Sequence, residues 1–262
     1  MGAIDRYSNL GVEFSWLEDF LAQGNEFWTS HSLGTNMVKN LKAFLSDAGI
    51  TTGKKQEITT FGQKAIDLGA YNDAIWGLAV CNLAYTSEFN WWIKNTPFFE
   101  PLTPDDIKNL IRTTEQGATD NTVSHVVSAF KNIFYTNKPI GENLGLGAAD
   151  VTEKGGKRNL NFITRSIWTT PIPEVILYSL YKFAEACGDY YQFTLSYLMD
   201  ETIERDGVSP TTIFGLDRDT MIRILNGLAI NYPEFISVSF SFDLDTITLR
   251  KDKKAADVLE LI

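Results

Sequence analysis

At 262 residues the chain is long enough to bury a sizeable core, and length alone allows one large domain or two to three small ones. Hydrophobic content of 44% beside 21% charged residues excludes a disordered chain, and a net charge of −10 excludes a protein coated in cations for indiscriminate nucleic-acid binding. No stretch approaches the roughly 20 uninterrupted apolar residues of a membrane span, and the acid-bearing start MGAIDRYSNLGVEF has no continuous apolar region, so no membrane partner and no secretory signal are expected.

Cys81 and Cys187 form no CxxC pair and sit in apolar helical patterns, so both read as reduced and buried, as in a cytoplasmic protein. Charge is unevenly spread. Residues 31–64 hold five bases (Lys39, Lys42, Lys54, Lys55, Lys64) against two acids (Asp47, Glu57). Residues 128–165 hold six (Lys131, Lys138, Lys154, Lys157, Arg158, Arg165) against three (Glu142, Asp150, Glu153). From 189 onward the count reverses to seven bases and thirteen acids. A charge run is usually a solvated face, and that reading stands beside each functional one.

In chain order, FSWLEDFLAQ at 14–23 spaces Phe14, Leu17, Phe20 and Leu21 as a helix. A second helix, Thr35 to Ala48, has Met37, Val38, Leu41, Phe44 and Leu45 on its apolar face, Thr35 as N-cap and Gly49 at its end. TTGKKQEITTFGQKAIDLG then reads as a tight Gly-Lys-Lys hairpin and a short helix. Helices followed by a basic hairpin make a winged-helix pattern, in which the Thr35–Ala48 helix is the recognition helix. Thr35, Asn36, Lys39, Asn40 and Lys42 are expected outward as DNA contacts, since Asn pairs with adenine edges and Lys reaches guanine or phosphate. Lys54 and Lys55 at the hairpin tip are expected to touch a neighbouring phosphate.

Residues 70–95 form a long aromatic helical stretch that reads as a core scaffold rather than a base-stacking platform. Thr103-Pro104-Asp105-Asp106 is a strong helix start: N-cap, proline in the first turn, acids at the positive end. Asp120 or Asn121 then caps a helix with Val123, Val126, Val127, Phe130 and Phe134 inward, leaving Asn121, Thr122, Ser124, His125 and Lys131 outward, to face a nucleic acid if this unit docks one. Residues 141–161 read as a mobile basic loop carrying Lys154, Lys157 and Arg158 as expected DNA contacts, without the GxxxxGK[ST] pattern of a phosphate loop. Pro171 and Pro173 open a helix near Glu174, a shorter one spans about Leu195–Ile203, and another starts near Asp217. The clearest strand signal follows: Ile236, Val238, Phe240 and Phe242 alternate with serines, and after a turn at Asp243-Leu244-Asp245, Ile247 and Leu249 alternate with threonines.

The expected fold class is therefore mainly α, with tandem winged-helix or helix-turn-helix units and short β-hairpins. The expected segments are an N-terminal winged-helix-like unit (1–69), a helical scaffold with a second helix-turn-helix (70–140), a basic loop (141–170) and a C-terminal helical unit ending in a hairpin wing (171–262).

The stretches LGTNMVKNLKAF, TVSHVVSAFKNIF and SPTTIFGLDRDTMIRILNGLAINYPEFISVSFSFDLDTITLR resemble an uncharacterised domain family associated with phosphoadenosine-phosphosulfate-reductase-like proteins of bacterial DNA phosphorothioation clusters. The resemblance runs from about Phe14 to Arg250, and extends to the B component of Ssp-type systems, to which DNA nicking is ascribed. It implies a winged-helix-containing protein of DNA sulfur modification and phage defence, with DNA, a sulfurtransferase and an ATPase as partners. Gly34 to Lys39 match the corresponding helix start, whereas no catalytic residue of the family maps onto this chain.

Nor do the residues themselves supply a catalytic signature. Only His31 and His125 are present, no serine sits in GxSxG, and no cofactor is evident. A nickase would need Mg²⁺ held by carboxylates. The pairs Asp105/Asp106, Asp217/Asp219 and Asp243/Asp245 are candidates, although capping and turn formation account for each of them. Two functions remain: a DNA-binding protein, with strand nicking as its enzymatic form, and a non-catalytic adaptor docking a sulfurtransferase or ATPase.

Overall fold

The computed structural model describes residues 4–241 and 244–262, so Phe242 and Asp243 of the expected C-terminal hairpin lie outside the described residues. The chain divides into two units, Met1–Ile167 and Trp168–Ile262. Helices dominate both, and each contains one small three-stranded antiparallel sheet.

The first unit contains α1 (Phe14–Gln23), α2 (Phe27–Ser30), α3 (Thr35–Asp47), α4 (Thr60–Leu68), α5 (Asp73–Leu83), α6 (Ser87–Asn95), β1 (Pro101–Leu102), α7 (Pro104–Thr114), α8 (Asp120–Thr136), a π-helical turn (Pro139–Asn143), β2 (Gly147–Lys154) and β3 (Lys157–Arg165). Local chemistry sets many of these bounds. Thr103 and Asp106 form a reciprocal capping box with Pro104 in the first turn of α7. Thr59 caps α4 through Gly62 N–H, and Thr119 caps α8. The expected cap at Asp120 or Asn121 is thus one residue or more too late. Gly34, not Thr35, is the N-cap of α3.

α5 is buried almost all round, from Ala74 to Cys81, as a central helix must be. The long 70–95 stretch breaks between α5 and α6, where Thr86 in extended conformation restarts the chain. Trp92 lies 4.6 Å from Phe130 between ring centroids, and Phe130 packs in turn on Phe89, Trp91 and Phe134. This cluster fixes α6 against α8.

Two expectations fail in this unit. The basic hairpin after α3 is held by a single bridge, Thr51 to Ile58, and so is a turn rather than a wing built into a sheet. The supposed loop at 141–161 is largely ordered strand. Gly155 (φ 59°) and Gly156 (φ 73°) make the two-residue turn that joins β2 to β3, a conformation side chains resist at both positions. β1 adds to the other edge of β3, giving the order β1-β3-β2.

The second unit contains α9 (Pro173–Ala186), β4 (Gln192–Phe193), α10 (Leu195–Met199), α11 (Pro210–Phe214), α12 (Arg218–Asn231), β5 (Ile236–Ser241), β6 (Leu244–Leu249) and α13 (Ala255–Val258). Its sheet order is β4-β6-β5. Ile236, Ile247 and Leu249 are buried as their alternation predicts, and α9 is buried on nearly every side. Cys81 is buried and Cys187 only half-buried, and neither forms a disulfide.

Candidate nucleic-acid interface

α3 presents part of the face expected of it. Thr35, Asn36, Lys39 and Lys42 are exposed, but Asn40 falls on the same helical face as Leu41 and Phe44 and is only 2% exposed. Its side-chain amide donates to the carbonyl oxygens of Tyr7 and Gly11 and to Ser8 Oγ. Asn40 is therefore a structural residue rather than an outward contact. Lys42 Nζ sits 4.8 Å from the Trp28 ring centroid. Gln56 donates to the carbonyls of Lys42 and Gly53, at 3.4 and 2.6 Å, which holds the Lys54–Lys55 turn beside the end of α3. Lys54 and Lys55 are exposed, and the Lys55–Glu57 contact at 3.7 Å is a loose surface pair.

Sequence periodicity gives no sign of the segment that holds α3, α6 and α8 together. Residues 5–10 run across all three. Asp5 meets His125 Nδ1 at 3.0 Å, so His125 is half-buried in a hydrogen-bonding contact instead of facing solvent. Arg6 and the Tyr7 hydroxyl both bond Asp47, and Leu10 O accepts from Asn132 at 2.8 Å. Glu88, 1% exposed, accepts the backbone N–H groups of Arg6 at 2.8 Å and Tyr7 at 3.3 Å through Oε2, while Oε1 has no hydrogen-bond partner. Burial pushes its carboxyl up to about 8, the two backbone bonds oppose that, and Asp5 and Asp47 add to it.

The β2–β3 hairpin carries the second cationic group. Every residue from Thr152 to Asn159 is exposed, so its distal half stands clear of the core. In register, Lys154 faces Lys157, Glu153 faces Arg158, and Thr152 faces Asn159. Opposed residues share a face, which splits the ribbon in two. Arg158 pairs with Glu153 at 3.3 Å and Glu13 at 3.5 Å, and its guanidinium lies 5.4 Å from the Tyr135 ring centroid. Tyr135 donates to Glu153 at 3.1 Å, and Lys131 Nζ donates to Arg158 O at 3.3 Å. Burial, with help from Arg158, holds the Lys131 ammonium below the usual lysine range. One face is thus fastened to α8 and the start of α1. Lys154 and Lys157 lie on the other, with no ion-pair partner among the described residues. At the start of α8, Asn121 is exposed and Thr122 accepts the Thr119 hydroxyl at 3.1 Å.

The fold is similar to that of SspB. A crystal structure of magnesium ion-bound SspB superposes with a TM-score of 0.69, covering 100% of this chain and 88% of that one, at 14% sequence identity. No family model matches the chain, and no curated protein matches its sequence. At this identity the likeness to SspB is one of fold.

Four acids of the carboxylate pairs have partners of their own. Asp106 is taken up by Thr103, accepting its N–H at 2.9 Å and its hydroxyl at 2.6 Å, which holds the acid below its usual range. Asp105 accepts from Lys108 at 2.9 Å. Asp217 caps α12 through Thr220 N–H at 2.7 Å, and Asp245 pairs with Arg218. Asp243 lies outside the described residues. Among the described residues no three His, Cys, Asp or Glu side chains are grouped to hold a metal ion. Asp105, Asp106, Asp217 and Asp245 are thus engaged as helix caps or ion-pair partners, and among the described residues they do not make a magnesium centre. Likewise, no described helix is long and apolar enough to cross a membrane.

Proposed function

We propose that the chain is a DNA-binding component of a bacterial DNA phosphorothioation and phage-defence system. The observation that carries this reading is the outward face of the β2–β3 ribbon, where an acidic protein presents Lys154 and Lys157 with no carboxylate in an ion pair among the described residues. Phosphate binding needs such local cations and is indifferent to net charge elsewhere. The exposed Thr35, Asn36, Lys39 and Lys42 of α3, the Lys54–Lys55 turn and Asn121 of α8 extend the set of candidate contacts, with the half-buried Lys131 as a further one. The similarity of fold to SspB across the whole chain supports the same context.

Nicking of one DNA strand is the enzymatic form of this proposal, and no residue here is assigned to it. Incubating supercoiled plasmid with the full chain, with and without Mg²⁺, tests it: open circles that appear only with metal support a nickase. A duplex-binding titration at several salt concentrations tests the binding itself. Affinity should fall steeply as salt rises, and affinity that does not change with salt removes the reading. The acidic second unit, with its excess of carboxylates, favours one other reading, an adaptor that docks a sulfurtransferase or ATPase. Intact plasmid, no duplex binding and co-purification with such a protein would favour the adaptor.

A further inference from the structure

Resting on the DNA-binding reading, we propose that the β2–β3 ribbon is the element that enters the major groove of duplex DNA. Thr152, Lys154, Lys157 and Asn159 form its reading face.

The register separates what sequence counting merges. Thr152 opposes Asn159 and Lys154 opposes Lys157, so these four side chains share one face. Glu153, the acid that dilutes the charge of this stretch in sequence, opposes Arg158 on the other face. There it is used up by Arg158 and by the Tyr135 hydroxyl. The reading face from 152 to 159 therefore holds two lysines, a threonine and an asparagine, and no acid.

The ribbon also has the shape and stiffness the task needs. A two-stranded ribbon fits a major groove roughly 12 Å wide, since its strands lie only about 5 Å apart. The Gly155-Gly156 turn has nothing within 4 Å of either added Cβ, so the tip is clear of the body. At the base, the register shifts between Asp150 and Val151, and Asn161 bridges Asp150 at 3.0 Å and Thr152 at 2.8 Å. Arg158 ties the back face to Glu13, and Lys131 ties down the Arg158 carbonyl. A ribbon held in place before binding loses little entropy on docking. Asn159 can bond both groove-edge groups of adenine, Thr152 can meet a thymine methyl, and the lysines can reach guanine or the flanking phosphates.

The test uses the full chain and fluorescein-labelled duplexes. Lys154→Ala with Lys157→Ala should weaken binding and lower the slope of log affinity against log salt by about two, one per lost phosphate or base-edge cation. Thr152→Ala with Asn159→Ala should leave affinity for poly(dI-dC) within about twofold and reduce discrimination among duplex sequences by about tenfold or more, the scale of one bidentate contact. Methyl green, which occupies the major groove, should displace the protein, and netropsin in the minor groove should not. Both sites tested are exposed on the ribbon, and Lys251→Ala in the second unit serves as the control expected to change nothing.

Three results overturn the ribbon while leaving DNA binding intact: displacement by netropsin alone, unchanged binding in both ribbon variants, or tenfold preference for an RNA duplex, whose deep, narrow major groove excludes a ribbon. Wild-type protein that binds no duplex at all instead overturns the DNA-binding reading on which the proposal rests.

Discussion

The two sheets share one plan and have opposite surroundings. Each is a hairpin whose second strand also pairs with a short strand of two residues, β1 on β3 and β4 on β6. In the second unit the hairpin alternates, with Ile236, Ile247 and Leu249 buried, Val238 and Phe240 half-buried, and Ser237 and Ser239 exposed. In the first unit the distal hairpin is exposed on both faces and basic at its tip. One hairpin is a wall of a core and the other is a projection from one. The difference shows that a strand needs an apolar face only where it covers something; a two-stranded ribbon survives outside the core when its turn and its base are fixed.

The largest effect expected from breaking that contrast is loss of the frame under the ribbon. Phe130→Ala removes a fully buried ring from the cluster with Trp92 and Phe89, and should cost about 3–5 kcal/mol in urea unfolding. A loss below about 1 kcal/mol would show that this cluster does not support α8.

Next is the pH response that separates the two units. Among the described residues the first unit buries a carboxylate, Glu88, and the second buries none. The folded-state pKa of Glu88, about 8, lies above its ordinary 4.5, so the folded state holds the proton more tightly. Its contribution to stability is fully present below about 4.5 and is lost as pH rises through about 8. Glu88→Gln should flatten that decline, because the amide cannot ionise. Urea midpoints measured across this range decide the matter, and equal slopes in both proteins would sink the assignment.

A smaller effect contrasts cations of the two units in DNA titrations. Lys154→Ala should reduce the salt slope by about one. Arg250→Ala should leave it unchanged, since that guanidinium is occupied by the Pro233 carbonyl at 3.1 Å in the acidic unit. Equal reductions would mean that binding is not confined to the first unit. The smallest effect is Lys42→Met, which removes the cation from the Trp28 face and should cost about 0.5–1 kcal/mol of stability without changing the fold.

How far these features could be read in advance depends on how local their causes are. α1 spans Phe14–Gln23, the expected range, because its apolar spacing lies within ten consecutive residues. The α7 start was legible for the same reason: threonine, proline and aspartate satisfy one another within a single turn. The ribbon was not legible. Its exposed strands carry no apolar alternation, and glycines that read as looseness are the residues that make its turn. Asn40 reads as outward from spacing alone because its partners, Tyr7, Ser8 and Gly11, lie in a segment with no regular pattern of its own. His125 went the same way, through Asp5.

From its residues alone this protein has most of its helices, the capped start of α7, the alternating hairpin of its second unit and its uneven charge, since each follows from neighbours a few positions apart. Only the tertiary structure decided which polar side chains face water, which acid is sealed inside, and which lysines stand together on one side of a ribbon. Those outcomes depend on contacts between distant segments, where burial and strand pairing, rather than spacing, fix the environment of each group.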